Sequence, residues 1–301
     1  MIRLLERIEI DDNKWNECIK NSLSPQVFGC TFYLDSCCPD WSAFVLDDYT
    51  AVFPFAVKKK HGLRYLTQPY FVRHFGIYST TPSIQFNDWI QPLSKLTRYF
   101  NFDVFNLEND EWKGFKVSEK KYQLLDLNFH HSELRKKYSE SHLRKIKKLE
   151  ALETNIVDIN DYSIFINEFK LTVAAKELNY SERELATLHQ LMNTLPHHCK
   201  VISKGIFIAG SLAAAAYFVK YENRLLYLKG FRKKHPVTDN GMFFLFDSII
   251  KDHCNQKMFL DFGGSNDQNV RQFFRGFGAE DSVYLHLHKN DLPFFFRWFK
   301  K

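Results

Sequence analysis

The sequence predicts an α/β fold, of the α+β kind with a mixed sheet, built as two similar halves. Three observations predict it: a strand meander that recurs at a fixed offset, a run of helix, strand, helix and strand after its second copy, and an ordinary globular composition. The chain has 301 residues, 45% hydrophobic, 16% aromatic and 25% charged. At about 150 residues per domain, that length suggests two domains. Thirty Phe and fourteen Tyr supply enough apolar surface to offset chain entropy, which excludes a disordered chain. Twelve Gly and nine Pro exclude collagen-like and low-complexity chains. A formal net charge of +6 leans toward anionic ligands but is too small to name one.

The repeat emerges when residues 44–58 are laid over 206–220. Ala51/Ala213, Val57/Val219, Lys58/Lys220, Leu63/Leu225, Tyr65/Tyr227 and Leu66/Leu228 are identical at an offset of 162 (213 − 51). Each copy reads as an apolar strand, a tight turn (Asp47-Asp48, Ala209-Gly210), a long return strand, a second turn (His61-Gly62, Glu222-Asn223) and a third strand. The same offset pairs Tyr122 with Tyr284 near the start of a late strand in each half. This organisation predicts an N-terminal half over 1–131, a basic connecting helix over 132–154 and a C-terminal half over 155–301.

In the connecting segment, Leu134, Tyr138, Leu143, Ile146 and Leu149 recur at helical spacing among many Lys and Arg. The spacing predicts one basic amphipathic helix over 132–150, either a solvated linker face or a face for phosphate, RNA or an acidic partner. The second half then predicts helices over 162–178 and 181–195. Ser181 and Glu184 form a capping-box pattern at the start of the latter. There follow the meander of 199–230, a loop over 231–239, a helix from Asn240 to 253, a strand over 257–262, a turn at Gly263-Gly264, a helix over 268–275 and a strand over 283–287.

The helix opening at Asn240-Gly241, the stretch Leu260-Asp261-Phe262-Gly263-Gly264-Ser265 and the stretch Phe273-Phe274-Arg275-Gly276-Phe277-Gly278-Ala279 resemble the GNAT acyltransferase core. They are closer to its FemAB-like branch, in which two GNAT-like domains lie in tandem. The resemblance covers most of the chain. It implies two tandem GNAT-like domains and transfer of an acyl group from acyl-CoA or acetyl-CoA, or alternatively from aminoacyl-tRNA, to an amine or hydroxyl. The acceptor it implies is a small molecule, a peptide or a cell-wall precursor, with tRNA reached through the 132–150 helix.

By the same resemblance the donor slots between two splayed parallel strands. Its carbonyl lies on main-chain N–H groups around Leu226 and Leu228, and its pyrophosphate lies at the helix start, Asn240, Gly241 and Met242, beside Arg232. Two departures from the family pattern stand out. The loop lacks the usual R/Q-x-x-G-x-G/A glycines. The late helix offers Phe273-Phe274 where many GNAT enzymes carry the Tyr that protonates the leaving thiolate.

The candidate catalytic residues are Asp261, Lys229 and Tyr227. Asp261 ends a buried strand, where its carboxylate could accept a proton from an attacking amine or hold the Gly263-Gly264-Ser265 turn through the backbone. Lys229 could pair with Asp261, meet an anionic acceptor or stand exposed. Tyr227, with Tyr217 and Tyr284, is a source for the missing hydroxyl. Candidate substrate-binding residues are Tyr65, Gln68, Tyr217 and Ser265; Tyr65, Tyr70, Phe71, His74 and Phe75 crowd Gln68-Pro69 as packing or as an acceptor pocket between the halves. The missing glycines and Tyr keep open a second reading, a catalytically inactive GNAT-like module that binds a peptide or saccharide.

No GxSxG, GxxxxGK[ST], HExxH or paired CxxC motif occurs, so hydrolase-elbow, P-loop and zinc-protease readings find no support. His286 and His288 alternate on one strand, and His197-His198 precede Cys199, but carboxylate partners for a metal are not evident. The six Cys are scattered as expected of reduced thiols. The N-terminus meets charge at once, and the longest uncharged apolar run, 205–219, falls short of the roughly 20 residues a membrane helix needs. The expected compartment is the cytoplasm.

Overall fold

In a computed structural model of the chain, residues 1–60, 62–82, 87–105, 114–172, 179–233, 240–264, 267–293 and 295 are described. The first copy of the meander opens at β2 (Ser42–Leu46), which is buried along most of its length. β2 pairs antiparallel on one side with β1 (Ile2–Glu6) and on the other with β3 (Ala51–Phe55). Between β1 and β2 lie helices α1 (Asp12–Asn21), capped by the Asp11 carboxylate, and α2 (Thr31–Cys37). β4 (Val57–Lys60) and β5 (Leu63–Thr67) form a hairpin. Two short strands, β6 (Phe75–Gly76) and β7 (Tyr78–Ser79), follow, then helix α3 (Asn87–Leu96) and strand β8 (Tyr99–Phe105).

Next come strand β9 (Lys116–Asp126), helices α4 (His131–Lys136) and α5 (Glu140–Glu150), strand β10 (Thr154–Asp158), and helices α6 (Tyr162–Lys170) and α7 (Glu182–Thr194). The second meander is β11 (Lys200–Ile208), β12 (Ser211–Tyr221) and β13 (Arg224–Arg232). Helix α8 (Gly241–His253), strand β14 (Phe259–Gly264), helix α9 (Gln268–Arg275) and strand β15 (Glu280–Asn290) complete the order.

The repeat is visible in backbone detail. Asp47 and Ala209, 162 residues apart, both turn through positive φ, at 49° and 48°. In the first copy the return strand breaks after Phe55 into β3 and β4. In the second it runs on as β12, but its pairing with β13 shifts between Tyr217 and Phe218, the positions matching Phe55 and Ala56. The same irregularity is a break in one copy and a β-bulge in the other.

The predicted connecting helix is two helices, because the Ser139 hydroxyl accepts from His142 N–H and starts a new one. The last strand is longer than expected, Glu280–Asn290 rather than 283–287. The helix expected over 162–178 ends at Lys170, with residues 173–178 outside those described.

The chain divides into two compact units, residues 1–120 with 283–301, and 121–282. These boundaries differ from the sequence halves because each closing strand pairs away from its own half. In the first unit β15 pairs antiparallel with β8, and the order is β15-β8-β5-β4, beside a separate sheet β1-β2-β3-β7. In the second unit Tyr122–Asp126 of β9 pair antiparallel with β14, and the order is β10-β11-β12-β13-β14-β9. The second unit's core joins Leu134, Tyr138, Ile146 and Leu149 to Phe218, Leu225, Phe246, Leu260, Phe262, Phe274 and Phe277. Among the described residues no helix is long and apolar enough to cross a membrane.

Candidate functional site

β13 and β14 run parallel, pairing Arg224 with Phe259, Leu225 with Leu260 and Leu226 with Asp261. There the pairing stops, although β13 continues to Arg232 and β14 to Gly264. Two residues later comes the bulge. Tyr227 lies opposite Phe218 and Lys229 opposite Tyr217, so Leu228 is the extra residue on β13. The two strands therefore part where β13 also leaves a regular ladder with β12.

The bulge changes which face each side chain takes. Leu225 packs in the core beneath α8, and Tyr227 follows it there, against Phe218, Phe246 and Phe274. Beyond Leu228 the alternation is inverted. Lys229 points to the α6 side, over the rings of Phe169 at 5.1 Å and Tyr180 at 4.7 Å, and Phe231 packs on Phe165.

Tyr227 is half-buried and crowded; burial raises its pKa well above the usual phenol range, so its hydroxyl keeps its proton. Lys229 Nζ donates to Tyr180 Oη at 2.9 Å, and burial pushes its amine down to about 8. Lys229 and Asp261 do not meet, because Tyr180 and Phe169 hold the amine. Asp261 is 1% exposed; it stands 3.5 Å from Arg224 Nη1 and accepts from Gly263 N–H at 3.0 Å. Gly263 has φ +77, and that bond fixes the turn at the end of β14, the backbone role open to this carboxylate.

Of the residues expected to hold a donor, Leu226 is buried at the last paired position and Leu228 is half-exposed at the bulge. Arg232 is exposed at the end of β13. Asn240 is the N-cap of α8 without a side-chain cap bond, and its carbonyl accepts from Phe243 N–H at 3.0 Å. Gly241 sits where the helix start presses on β11 and β12: an added Cβ would lie 3.2 Å from both Ile206 and Ala213. Met242 is buried, with its methyl against Gly230. Lys233 reaches Glu168 at 2.7 Å. The rest of the loop, 234–239, and Ser265 lie outside the described residues.

Tyr217 is fully buried and its hydroxyl donates to Met192 O at 2.7 Å, a packing role in place of substrate contact. Tyr65 is buried edge-on to Tyr99. Gln68, half-buried, donates to Val72 O and accepts from Asp103 N–H, bonds that brace this loop against β8. Sequence reasoning missed Tyr180, Phe169 and Gly230. The glycine inside a strand was the available signal, since such glycines mark close approach.

The first unit's equivalent edge is closed. β5 and β8 pair in parallel at Leu66/Phe100 and Thr67/Asn101, and Gln68 N–H continues the ladder to Asn101 O. The Gln68 side chain then takes Asp103 N–H, and β6 pairs with Val104 and Phe105. Among the described residues β14 has no such neighbour past Asp261 on its β13 side. Among them, too, no cluster of three or more His, Cys, Asp or Glu could hold a metal.

No family model and no curated protein matches the sequence. Solved structures do match in fold. FemX superposes with a TM-score of 0.67 at 9% identity, covering 97% of this chain and 99% of that one. L-PGS from Bacillus licheniformis gives 0.55 at 12% identity, covering 96% and 95%. A tandem GNAT protein from the clavulanic acid biosynthesis pathway gives 0.52 at 9% identity, covering 96% and 98%.

Proposed function

We propose that this chain, which has the FemAB-like, tandem GNAT fold, is a group-transfer enzyme. It moves an acyl or aminoacyl group from an activated donor, acyl-CoA or an aminoacyl ester, to an amine or hydroxyl. The observation that carries this reading is the parting of β13 and β14 after Leu226/Asp261, coincident with the bulge at Leu228. Such a gap offers main-chain N–H groups to a carbonyl whose oxygen becomes negative during attack, and fixed dipoles stabilise that charge without reorganising. The start of α8, with Arg232 nearby, suits the donor's pyrophosphate. The second unit holds the donor, since the matching edge in the first is filled by Gln68 and β6.

Two side chains flank the gap. Tyr227, held protonated, is the proton donor to the leaving group and replaces the Tyr that Phe273-Phe274 lack. Lys229, on the opposite face, is in part uncharged near neutral pH and can take a proton from the acceptor. Asp261 holds the turn and does not enter the chemistry. If the donor is an aminoacyl-tRNA, the exposed Lys136, Arg144, Lys147 and Lys148 of α4 and α5 are its contacts, and its affinity falls steeply with salt.

Calorimetric titration with acetyl-CoA and with an aminoacyl-tRNA tests the reading. Saturable binding of either is expected, and flat titrations for both remove it. The missing loop glycines favour the second reading, an inactive module. That reading expects thermal stabilisation by a peptide or saccharide and none by coenzyme A.

A further inference from the structure

Lys229 is set in surroundings that taking a proton does not by itself require. It stands three residues past the last β13–β14 pair, Leu226/Asp261, and is the first residue beyond the extra residue Leu228. Its Nζ lies over the rings of Phe169 and Tyr180 and gives one N–H to Tyr180 Oη. All of these residues belong to the second unit, 121–282, as do both strands of the gap.

No carboxylate among the described residues keeps this amine charged. Glu168, next to Phe169 on α6, is taken by Lys233 at 2.7 Å, and Asp261 faces Arg224 at 3.5 Å. The half-buried Lys170 and Lys204 of the same unit each hold an acid, Glu182 at 2.8 Å and Asp158 at 2.7 Å. Lys229 has two rings and a neutral hydroxyl in their place, and burial pushes its amine down to about 8. A neutral amine that donates one N–H still has its lone pair free. A lysine in such a pocket is a nucleophile as well as a base.

We propose that Lys229 is itself an acylation site: with no acceptor bound, its amine takes the acyl group from the donor in the gap, and transfer shuts off. The inference rests on the transferase reading for its donor. The Nζ lone pair bonds to the acyl carbon. The bond from that carbon to the leaving sulfur, or to the ribose oxygen of an aminoacyl ester, breaks with its electron pair. The nitrogen gives up one proton, which ends on the leaving group, so an amide and a free thiol or hydroxyl result. The step needs no further reactant. An amide nitrogen has no basic lone pair, so an acylated Lys229 cannot take the acceptor's proton. Donor in excess of acceptor thus silences the chain.

The full chain is incubated with acetyl-CoA and no acceptor, and acetylated lysines are mapped by mass spectrometry over time. Lys229 is expected to react about tenfold or more faster than the exposed Lys136, Lys147 and Lys148. Excess coenzyme A is expected to slow Lys229 and to leave those three unchanged, because Lys229 draws on bound donor. Lys229→Arg is expected to lose the label that coenzyme A suppresses. Acetylation spread evenly over the four lysines, or a Lys229 label indifferent to coenzyme A, overturns the proposal. If calorimetry finds aminoacyl-tRNA to be the donor that binds, the same map is made with it, and uncharged tRNA is the competitor. Donor binding without a label on Lys229 overturns this inference and leaves the transferase reading standing. Flat titrations with both donors remove the two together.

Discussion

The Tyr227 hydroxyl lies against the bare Cα of Gly230. A Cβ added to that glycine would come within 2.4 Å of Tyr227 Oη, 2.7 Å of Ala215 O and 2.9 Å of Met242 Cε. The contact exists because the bulge at Leu228 puts Tyr227 and Gly230 on one face of β13, three residues apart. It joins the strand that borders the gap, the proposed proton donor and the first turn of α8.

Gly230→Ala is therefore expected to destabilise the chain by about 1–3 kcal/mol, the cost of overpacking a filled site. One obstacle is a backbone carbonyl that cannot swing aside. Thermal unfolding measures it, and an unchanged midpoint contradicts the packing described.

Tyr227→Phe keeps the ring contacts with Phe246 and Phe274 and removes the proton. Transfer is expected to fall about 10²-fold or more in kcat with donor Kd unchanged. Steady-state kinetics beside calorimetry separates the two. A variant with full kcat moves the acid role elsewhere.

Lys229 gives the pH dependence of stability a definite sign. Burial pushes its amine down to about 8 in the folded chain from the ordinary lysine value of 10.5, so between these values the unfolded chain binds more protons. Stability thus rises with pH from about 8 to 10.5 and is flat below 8, with a slope of up to about 1 kcal/mol per pH unit. Lys229→Met is expected to abolish that rise in denaturant titrations across this window. A slope that survives in the variant belongs to another group.

His142 gives an acid-side prediction. It is 6% exposed among Phe243, Phe273 and Phe277, bonded to Ser139 Oγ and Phe273 O, and burial lowers its pKa below 6.5. A histidine held neutral loses stability as pH falls below the unfolded value of about 6.5. The urea midpoint is expected to drop between pH 7 and 5, and His142→Gln is expected to flatten the drop. Gly276→Ala attacks the same site: its Cβ would fall about 2.0 Å from the imidazole, so the variant is expected to fold poorly.

Much of the fold was legible because its signals are local. The offset of 162 rests on identities such as Tyr65/Tyr227, and the helix at Gln268–Arg275 is bounded by Asp267 and Gly276. Strand exchange was not legible: Tyr122 and Tyr284 match each other in sequence, yet β9 pairs with β14 and β15 with β8, and pairing across such separations leaves no periodic trace. In the site, Asp261 was readable as a turn-holder from the glycines after it. The direction of Lys229 was not, because a bulge inverts alternation and composition does not announce a bulge. Asp103 and His286, 183 residues apart, become partners only through that strand exchange.

Hydrogen–deuterium exchange with and without saturating acetyl-CoA bears most directly on the gap between β13 and β14. Slowed exchange in peptides covering 226–232 and 241–246 is the predicted result, with 63–68 of the first unit unchanged. Bound donor that leaves 226–232 untouched, or protects the first unit's edge instead, contradicts the account.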